Sequence, residues 1–169
     1  MIARREDDGL LAATHALYRG EREHAVALLP PDEELRADEA ALFGRVERLR
    51  ELLDAEPAEA NEFSPDGFSP LHLAVFGGDE SAVRLLIERG ADLEAISRSE
   101  IAQVRPLGTA ANFRRVELGR ILLEAGADPN GTGSRGATAL DAARANGDDA
   151  FVALLAEFSP SRPSRRRDG

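Results

Sequence analysis

The residues that could bind a metal or take part in catalysis are few and scattered along the chain. There are three histidines, His15, His24 and His72, and no cysteine. Protein metal sites need several Cys or His ligands at a defined spacing, and none of these histidines has a second such ligand nearby in the sequence. We therefore expect no metal and no cofactor. We interpret His72 as a structural residue whose ring hydrogen-bonds the neighbouring backbone.

No catalytic arrangement is recognisable either. The acidic groups at 7–8, 32–34 and 148–149 fall in loops or at helix starts, where carboxylates stabilise the helix dipole. The chain has neither a P-loop nor a nucleophile elbow. The glycine-rich run at 131–136 resembles a phosphate cradle, but no buried strand precedes it and it stands where the repeat described below requires a hairpin turn. We therefore expect that the chain is not an enzyme.

The charge of the chain limits the partners it can bind. The formal net charge is −10, and residues 161–169 hold four Arg and one Asp, so the rest of the chain carries −13. Such a body repels nucleic-acid backbones. No apolar run approaches the 18 residues or so of a membrane span, and residues 1–8 lack a secretory apolar core. We expect a cytoplasmic protein that binds neither nucleic acid nor a membrane.

The elements that position these residues follow from a pattern that the chain repeats. Ser69 and Pro70 are typical of the first turn of a helix, and Gly78 is typical of a left-handed helix end. A second helix is predicted over 80–89, because its Val, Leu and Ile residues fall on one face. Gly90 marks the end of that helix. Two short helices joined at a glycine therefore form one unit.

The same pattern recurs along most of the chain. The positions equivalent to Ser69 are Leu11, Leu35, Arg105 and Thr138, at spacings of 24, 34, 36 and 33 residues. Each helix pair is too short to bury its apolar face alone, so neighbouring units must stack. The sequence therefore predicts five stacked helix pairs.

The sequence motif of the central unit resembles that of a known family. Ser-Pro-Leu-His-Leu-Ala, a later Gly, a Val-x-Leu-Leu-Ile run and then Gly-Ala-Asp together resemble the ankyrin repeat. The resemblance implies an all-α solenoid of helix–turn–helix units with short hairpin loops, over residues 9–158. The expected units, of which the first is a degenerate N-terminal cap, are 9–31, 32–66, 67–98, 103–132 and 136–158.

The two ends of the chain fall outside this pattern. Residues 1–8 are expected to be a flexible N-terminus, and the Arg-rich tail 159–169 has no apolar pattern and is expected to be disordered. Two interpretations of the tail stay open: it is simply solvated, or it folds back on the acidic body or meets an anionic partner.

The unit that begins at Arg105 departs most from the repeat. Arg105 replaces the capping hydroxyl, Gly108 the expected His and Arg114 the expected Gly, and Gly119 stands where a Val is usual. A left-handed Arg114 would cost about 1–2 kcal/mol. Gly119 inside a helix would cost up to about 1 kcal/mol relative to Ala. We expect this unit to be the weakest of the stack.

The aromatic residues are the best candidates for a binding site. Four of the eight aromatics fall in the two positions before the inter-helix glycine or its equivalent. In ankyrin stacks that window lies on the concave side, and aromatics are frequent anchors of interfaces. Local packing between helices is the alternative interpretation. Phe68, at the base of a hairpin, belongs to the same side, and Phe63 is a further candidate. The predicted partner-binding residues are Tyr18, Phe43, Phe68, Phe76, Asn112 and Phe113.

The resemblance also implies a function. Ankyrin repeats act as non-enzymatic protein–protein interaction modules, so we expect a protein partner with basic and apolar surface, bound on the helix-one and hairpin side. The alternative is a regulatory or immunity-type accessory subunit that occludes an enzyme encoded nearby. A monomer is expected.

Overall fold

Short helices connected by tight turns make up the chain. The structure, a computed structural model, describes residue 13, residues 15–100 and residues 102–159. The predicted flexible N-terminus, Leu11 and residues 160–169 of the tail lie outside the described residues. Residues 15–18 are helical. The α-helices that follow are α1 (Arg22–Ala27), α2 (Ala37–Phe43), α3 (Val46–Ala55), α4 (Pro70–Gly77), α5 (Glu80–Glu88), α6 (Pro106–Asn112), α7 (Val116–Glu124), α8 (Ala139–Ala145) and α9 (Asp149–Phe158).

Helices α2 to α9 form four consecutive pairs that stack on one another. The first helices of the pairs, α2, α4, α6 and α8, lie side by side in one row, and α3, α5, α7 and α9 form a second row. One core of mainly Leu, Ala and Val residues runs through the stack. The fold is all-α, and no strand forms in the described part of the chain. Helix α2 begins one residue later than predicted, because Arg36 is its N-cap and Leu35 is buried in the core.

The ends of the central helices form as the sequence predicts. The Ser69 hydroxyl accepts a hydrogen bond from the backbone N–H of His72, at 3.5 Å, and so caps α4. Gly78 ends that helix with a φ of +81°, a conformation that glycine adopts without steric cost. Asp79 then caps α5 by accepting a hydrogen bond from the N–H of Ala82 at 2.8 Å. Local sequence signals therefore set the bounds of both helices.

The ring of His72 connects one helix pair to the next. Its Nε2 lies 2.8 Å from the carbonyl oxygen of Val104, which can only accept, so Nε2 carries the proton. Its Nδ1 lies 2.7 Å from the Ser69 hydroxyl, which donates to it. The ring is 1% exposed. The predicted structural role of His72 is confirmed.

The hairpin loops lie beside the row of first helices and contact one another. In the first of these loops, the N–H of Ser64 donates to the carbonyl of Phe68 at 2.8 Å, and the N–H of Gly67 donates to that of Ser64 at 2.9 Å. The Gly67 carbonyl accepts in turn from the N–H of Arg98, at 2.6 Å, in the following connection. Successive loops are thus tied together through their backbones.

The glycine-rich run at 131–136 is one of these hairpins. Thr132 and Thr138 form an isolated antiparallel bridge across it. The N–H of Gly133 donates to the Ala137 carbonyl at 2.9 Å, and the N–H of Gly136 donates to that of Gly133 at 3.0 Å. Both amides are therefore engaged within the turn. The hairpin interpretation is confirmed over the phosphate cradle.

The departures in the α6/α7 pair have visible compensations. Arg114 is left-handed, with a φ of +55°, as predicted. It is the one non-glycine residue with positive φ in the part of the chain that the structure describes. Its guanidinium donates to the carbonyl of Asn146 in the next pair. This contact offsets part of the backbone strain.

Gly119 is not the defect that the sequence suggested. A Cβ atom built on it would lie 2.7 Å from Cζ and 2.8 Å from Cε2 of Phe151. Phe151 is fully buried, so its ring occupies the space that a side chain at 119 would need. The structure corrects the expectation that Gly119 weakens the stack: the missing side chain lets α9 bring a large ring against α7.

Arg105, at the N-cap of α6, provides no side-chain cap, but its side chain makes contacts elsewhere. Its Nε donates to the carbonyl of Thr132 at 2.9 Å, and its guanidinium pairs with Glu94. The other oxygen of Glu94 accepts from the backbone N–H of Asp128 at 2.8 Å. This network joins the connections on either side of the α6/α7 pair, so that pair is held at both ends.

The N-terminal helix pair, defined here as residues 15–29, packs differently from the rest. It shares a second apolar cluster with the ends of α2 and α4. The buried members of this cluster are Ala13, Ala16, Ala25, Leu42, Phe43 and Leu73. Among the partly buried side chains around it, Leu29 also touches the main core. The N-terminal helix pair therefore lies over the first helices of two successive units.

Candidate functional site

Three aromatic rings from three different units meet on the side of the first helices. We call Tyr18, Phe76 and Phe113 the aromatic row. The ring centroids of Tyr18 and Phe76 are 5.0 Å apart, and those of Phe76 and Phe113 are 4.7 Å apart in an edge-to-face arrangement. Tyr18 is 53% exposed and Phe113 48%, while Phe76 is half-buried between them. The row is a continuous aromatic surface open to solvent.

An apolar groove of about 190 Å³ adjoins the aromatic row. The rings of Phe68 and His72 lie in it, with centroids 6.0 Å apart, edge to face. Asn112 stands at its edge beside Phe113. Apart from the aromatic row, the groove is lined by Phe68, His72, Leu73, Ala102, Val104, Thr109 and Asn112. The aromatic row and the groove together form the candidate site.

The structure brings together five of the six residues predicted for partner binding. Tyr18, Phe68, Phe76, Asn112 and Phe113 all line the groove. Phe43 does not join them, because it is 6% exposed and lies in the second apolar cluster. The structure therefore corrects the expectation that Phe43 is on the open surface.

Sequence reasoning missed part of the groove. Leu73 is the second Leu of Ser-Pro-Leu-His-Leu-Ala, and its place in that motif was the available signal. Val104 comes from the long connection before α6, which carries no motif. It reaches the groove because its carbonyl accepts from His72.

Two arginines donate hydrogen bonds to the end of α4, the helix that carries Phe76. Arg115 donates through Nη2 to the carbonyl of Phe76 at 3.2 Å, and Arg22 donates through Nη1 to that of Gly77 at 2.5 Å. Cations at a helix C-terminus are favourable because the helix dipole is negative there. The candidate site thus has a basic border along the end of α4.

A wider depression of about 740 Å³ continues from the candidate site past Tyr18. Asp66 and Glu100 line it, and the guanidinium of Arg98 lies 4.0 Å above the ring of Phe63. Burial, and to a smaller extent the charge of Asp66, raises the pKa of the Tyr18 hydroxyl, so this group stays protonated. The depression therefore offers carboxylates next to the aromatic row.

His72 lies in the groove but is not set up for proton transfer. Burial lowers its pKa to about 4, and the hydrogen bond to Val104 and the charge of Asp92 offset this only in part. Both ring nitrogens are already hydrogen-bonded. A neutral ring with no free nitrogen can shape an apolar groove but cannot act as a general base.

No group of three or more His, Asp or Glu side chains that could hold a metal ion occurs among residues 13, 15–100 and 102–159. No helix in this part of the chain is long and apolar enough to cross a bilayer.

Comparison with known proteins places the central unit in a family. Residues 66–98 match the family model of the ankyrin repeat. Over 112 residues the chain is 36% identical to zinc finger CCCH domain-containing protein 33 of Oryza sativa subsp. japonica, covering 63% of this chain and 19% of that protein. It is 35% identical over 112 residues to a putative ankyrin repeat-containing protein of Treponema pallidum (strain Nichols), covering 66% and 37%.

A third relative is ankyrin repeat and SAM domain-containing protein 6 of Rattus norvegicus, at 31% identity over 113 residues, covering 65% of this chain and 12% of that protein. The chain thus matches between 12% and 37% of the length of these relatives. The stacked helix pairs, the hairpins beside them and these matches together show that this chain is an ankyrin repeat protein.

Proposed function

We propose that this chain is a non-enzymatic interaction module that binds a protein partner on the aromatic row and the adjoining groove. Ankyrin repeats in general are protein–protein interaction modules. The observation that carries the proposal is the aromatic row itself, because two of its rings leave about half their surface in water. Covering such rings with a partner lowers the free energy of the complex, because apolar surface leaves water. Clustered aromatics are frequent hot spots of interfaces.

The surroundings of the row indicate the chemistry of the partner. The groove is apolar, so it suits an aliphatic or aromatic side chain. The carboxylates of Asp66 and Glu100 lie in the neighbouring depression, and the chain as a whole carries a net charge of −10. We therefore propose a partner segment with an apolar side chain for the groove and a Lys or Arg nearby for the depression. The cytoplasmic location and the monomeric state stay predictions.

The alternative proposal is an accessory subunit that occludes the active site of an enzyme encoded nearby. The same surface serves both proposals, since an open aromatic patch with adjacent carboxylates can cover a basic active-site entrance. The two differ in what the partner does when bound. An accessory subunit abolishes the activity of its partner at stoichiometric ratio, whereas an adaptor leaves that activity unchanged.

The experiment is a comparison of partner capture by three full-length proteins. The wild type, Phe113→Ala and a matched control, Ile96→Ala, are used as baits in lysate of the native cell. Ile96 is a 36% exposed apolar residue that does not line the groove. We expect a protein that is retained by the wild type and by Ile96→Ala and lost by Phe113→Ala.

The affinity of that protein is then measured directly. Phe113→Ala should weaken binding by about 1–3 kcal/mol, and Ile96→Ala should have almost no effect. Equal affinities of all three proteins for every captured partner would contradict the proposal. The melting temperature of each variant shows that the fold is intact.

A further inference from the structure

Two phenylalanines at equivalent positions have very different exposure. Phe43 precedes the left-handed Gly44 at the end of α2, and Phe113 precedes the left-handed Arg114 at the end of α6. Phe113 is 48% exposed, but Phe43 is 6% exposed. The repeat itself therefore does not bury this position. What covers Phe43 is the N-terminal helix pair, whose alanines share its apolar cluster.

The N-terminal helix pair is only lightly attached. Its helix α1 has six residues, buries Ala25 alone, and has no side-chain cap at Glu21. Val26 on the same helix is 40% exposed. Helices this short are not stable without tertiary contacts. Within the described residues, Arg22 connects this segment to the stack by a hydrogen bond to the carbonyl of Gly77.

The contacts of the N-terminal helix pair also differ in kind from those within the stack. Among the described residues of this segment, the fully buried ones are alanines, with Leu17, Leu28 and Leu29 only partly buried, whereas the main core buries many leucines completely. The two clusters are separate, with Leu29 as a partly buried contact between them. Segments with few buried apolar contacts open at a lower free energy than the rest of a domain.

We propose that the N-terminal helix pair docks reversibly on the row of first helices, and that the docking surface for a protein partner continues beneath it over Leu42, Phe43 and Leu73. This hidden surface adjoins the open site, because Leu73 belongs both to the second apolar cluster and to the lining of the groove. The opening of the pair is independent of the proposed function, whereas the continuity with a partner site rests on it.

The occupant proposed for the uncovered surface is an amphipathic helix of the partner that carries small residues and one aromatic side chain. The chain's own segment shows why this chemistry fits. Ala16 and Ala25 are fully buried, which allows the helices to approach Leu42 and Phe43 closely. Tyr18 from the same segment places its ring against Phe76. A partner helix with these features can make the same contacts as the N-terminal helix pair and so take its place.

Thiol labelling of the full-length chain tests the opening, since the protein has no cysteine of its own. Leu42→Cys lies beneath the N-terminal helix pair and does not line the open groove, and Leu118→Cys lies in the main core; the native side chains are equally exposed, at 5% each. We expect Leu42→Cys to react with iodoacetamide at least about tenfold faster, with little dependence on added urea. Equal rates with equal urea dependence would overturn the proposal.

A second variant changes the docking directly. Ala25→Asp places a charge in the second apolar cluster, and Arg22→Ala removes the hydrogen bond to the Gly77 carbonyl while leaving the cluster intact. Both should speed the labelling of Leu42→Cys and leave that of Leu118→Cys unchanged. The same acceleration at both cysteines would show that the N-terminal helix pair unfolds only with the whole stack, which overturns the proposal.

A synthetic peptide of residues 13–29 tests whether the uncovered surface accepts a helix from outside. It should bind Ala25→Asp at least about tenfold more tightly than the wild type, where the surface is occupied. A control peptide carrying Ala16→Asp and Tyr18→Ala should not bind. If labelling shows opening but the peptide binds neither protein, the docking surface is refuted. The effect of Phe113→Ala on partner binding tests the proposed function separately.

Discussion

His72 is a neutral residue on which the stability of the stack depends. Its pKa in the folded chain is about 4, against about 6.5 for an ordinary histidine, because its ring is buried. The unfolded chain therefore binds a proton at higher pH than the folded chain. The stabilising contribution is fully present above pH 6.5 and is lost as the pH falls from about 6.5 towards 4.

We expect this linkage to contribute about 2–3 kcal/mol to the free energy of unfolding near neutral pH. Carboxylates also titrate at low pH, so the comparison is made with His72→Gln, which cannot take up a proton. Urea unfolding of both proteins between pH 7 and 4.5 should give a steeper loss for the wild type. Parallel curves would mean that the His72 ring titrates normally in the folded chain.

For the stability of Gly119→Ala, core packing and helix propensity predict opposite effects. Alanine is favoured over glycine in a helix by up to about 1 kcal/mol, yet its Cβ would stand 2.7 Å from Phe151. Overpacking a core typically costs about 1–3 kcal/mol. Gly119→Ala should therefore lower the free energy of unfolding, measured in urea. In a Phe151→Leu background the same change should be neutral or stabilising, and additive effects in this double-mutant cycle would contradict the argument.

Arg114 affects the stability of the stack in two opposite ways, through backbone strain and through a hydrogen bond. Arg114→Gly relieves a left-handed backbone worth about 1–2 kcal/mol, but it removes the donor to the Asn146 carbonyl and makes the unfolded chain more flexible. We expect a small net stabilisation, below about 1 kcal/mol. Arg114→Ala, which keeps the strain and loses the donor, is the matched control and should destabilise. Thermal unfolding of the two variants separates the terms, and a destabilised Arg114→Gly would mean that the contact outweighs the strain.

At the scale of the helix pair, local signals predicted most of what forms. Ser69 and Gly78 predict the two ends of α4 from local sequence alone, without any tertiary contact. The apparent defects of the α6/α7 pair were harder to interpret, because their compensations come from distant residues. The partner of Gly119 is Phe151, in the following unit, and that of Arg105 is a carbonyl 27 residues further on. A single sequence shows that an expected residue type is absent from a position, but it does not show which distant residue compensates for that absence.

This changes where local opening should be fastest. The sequence alone predicted that the unit beginning at Arg105 is the weakest, whereas the contacts of Arg105 and Phe151 hold α6 and α7 in place. We expect amide hydrogen exchange to be fast in residues 15–29 and in the connection 98–103, and slow in α6 and α7. The protected α5 serves as the internal reference. Exchange in α6 and α7 as fast as in the connection would restore the original expectation.

At the scale of the molecule, the aromatic row was predictable in part. The repeat register placed Phe76 and Phe113 at neighbouring sites, and these two rings do meet. It did not place Tyr18 against Phe76, which lies two units further along. Regular stacking predicts contact only between adjacent units, and the N-terminal helix pair departs from regular stacking. For the same reason the register could not show that Phe43 is covered.

The net charge and the aromatic row should act on different steps of binding. A chain of net charge −10 attracts a basic partner over distances comparable to the Debye length, about 10 Å at 0.1 M salt, so it raises the association rate. The rings are buried only after contact, so they govern dissociation. With the captured partner, stopped-flow association should slow by about tenfold or more between 0.02 and 0.5 M NaCl.

The two contributions can be separated by one substitution each. Asp66→Asn, in the depression beside Tyr18, should slow association and reduce its salt dependence while changing dissociation little. Phe113→Ala should speed dissociation by about five- to a hundredfold and leave the salt dependence of association unchanged. An association rate that is independent of salt would mean that the partner is not basic. A partner that dissociates equally fast from Phe113→Ala and from the wild type does not bind through the aromatic row.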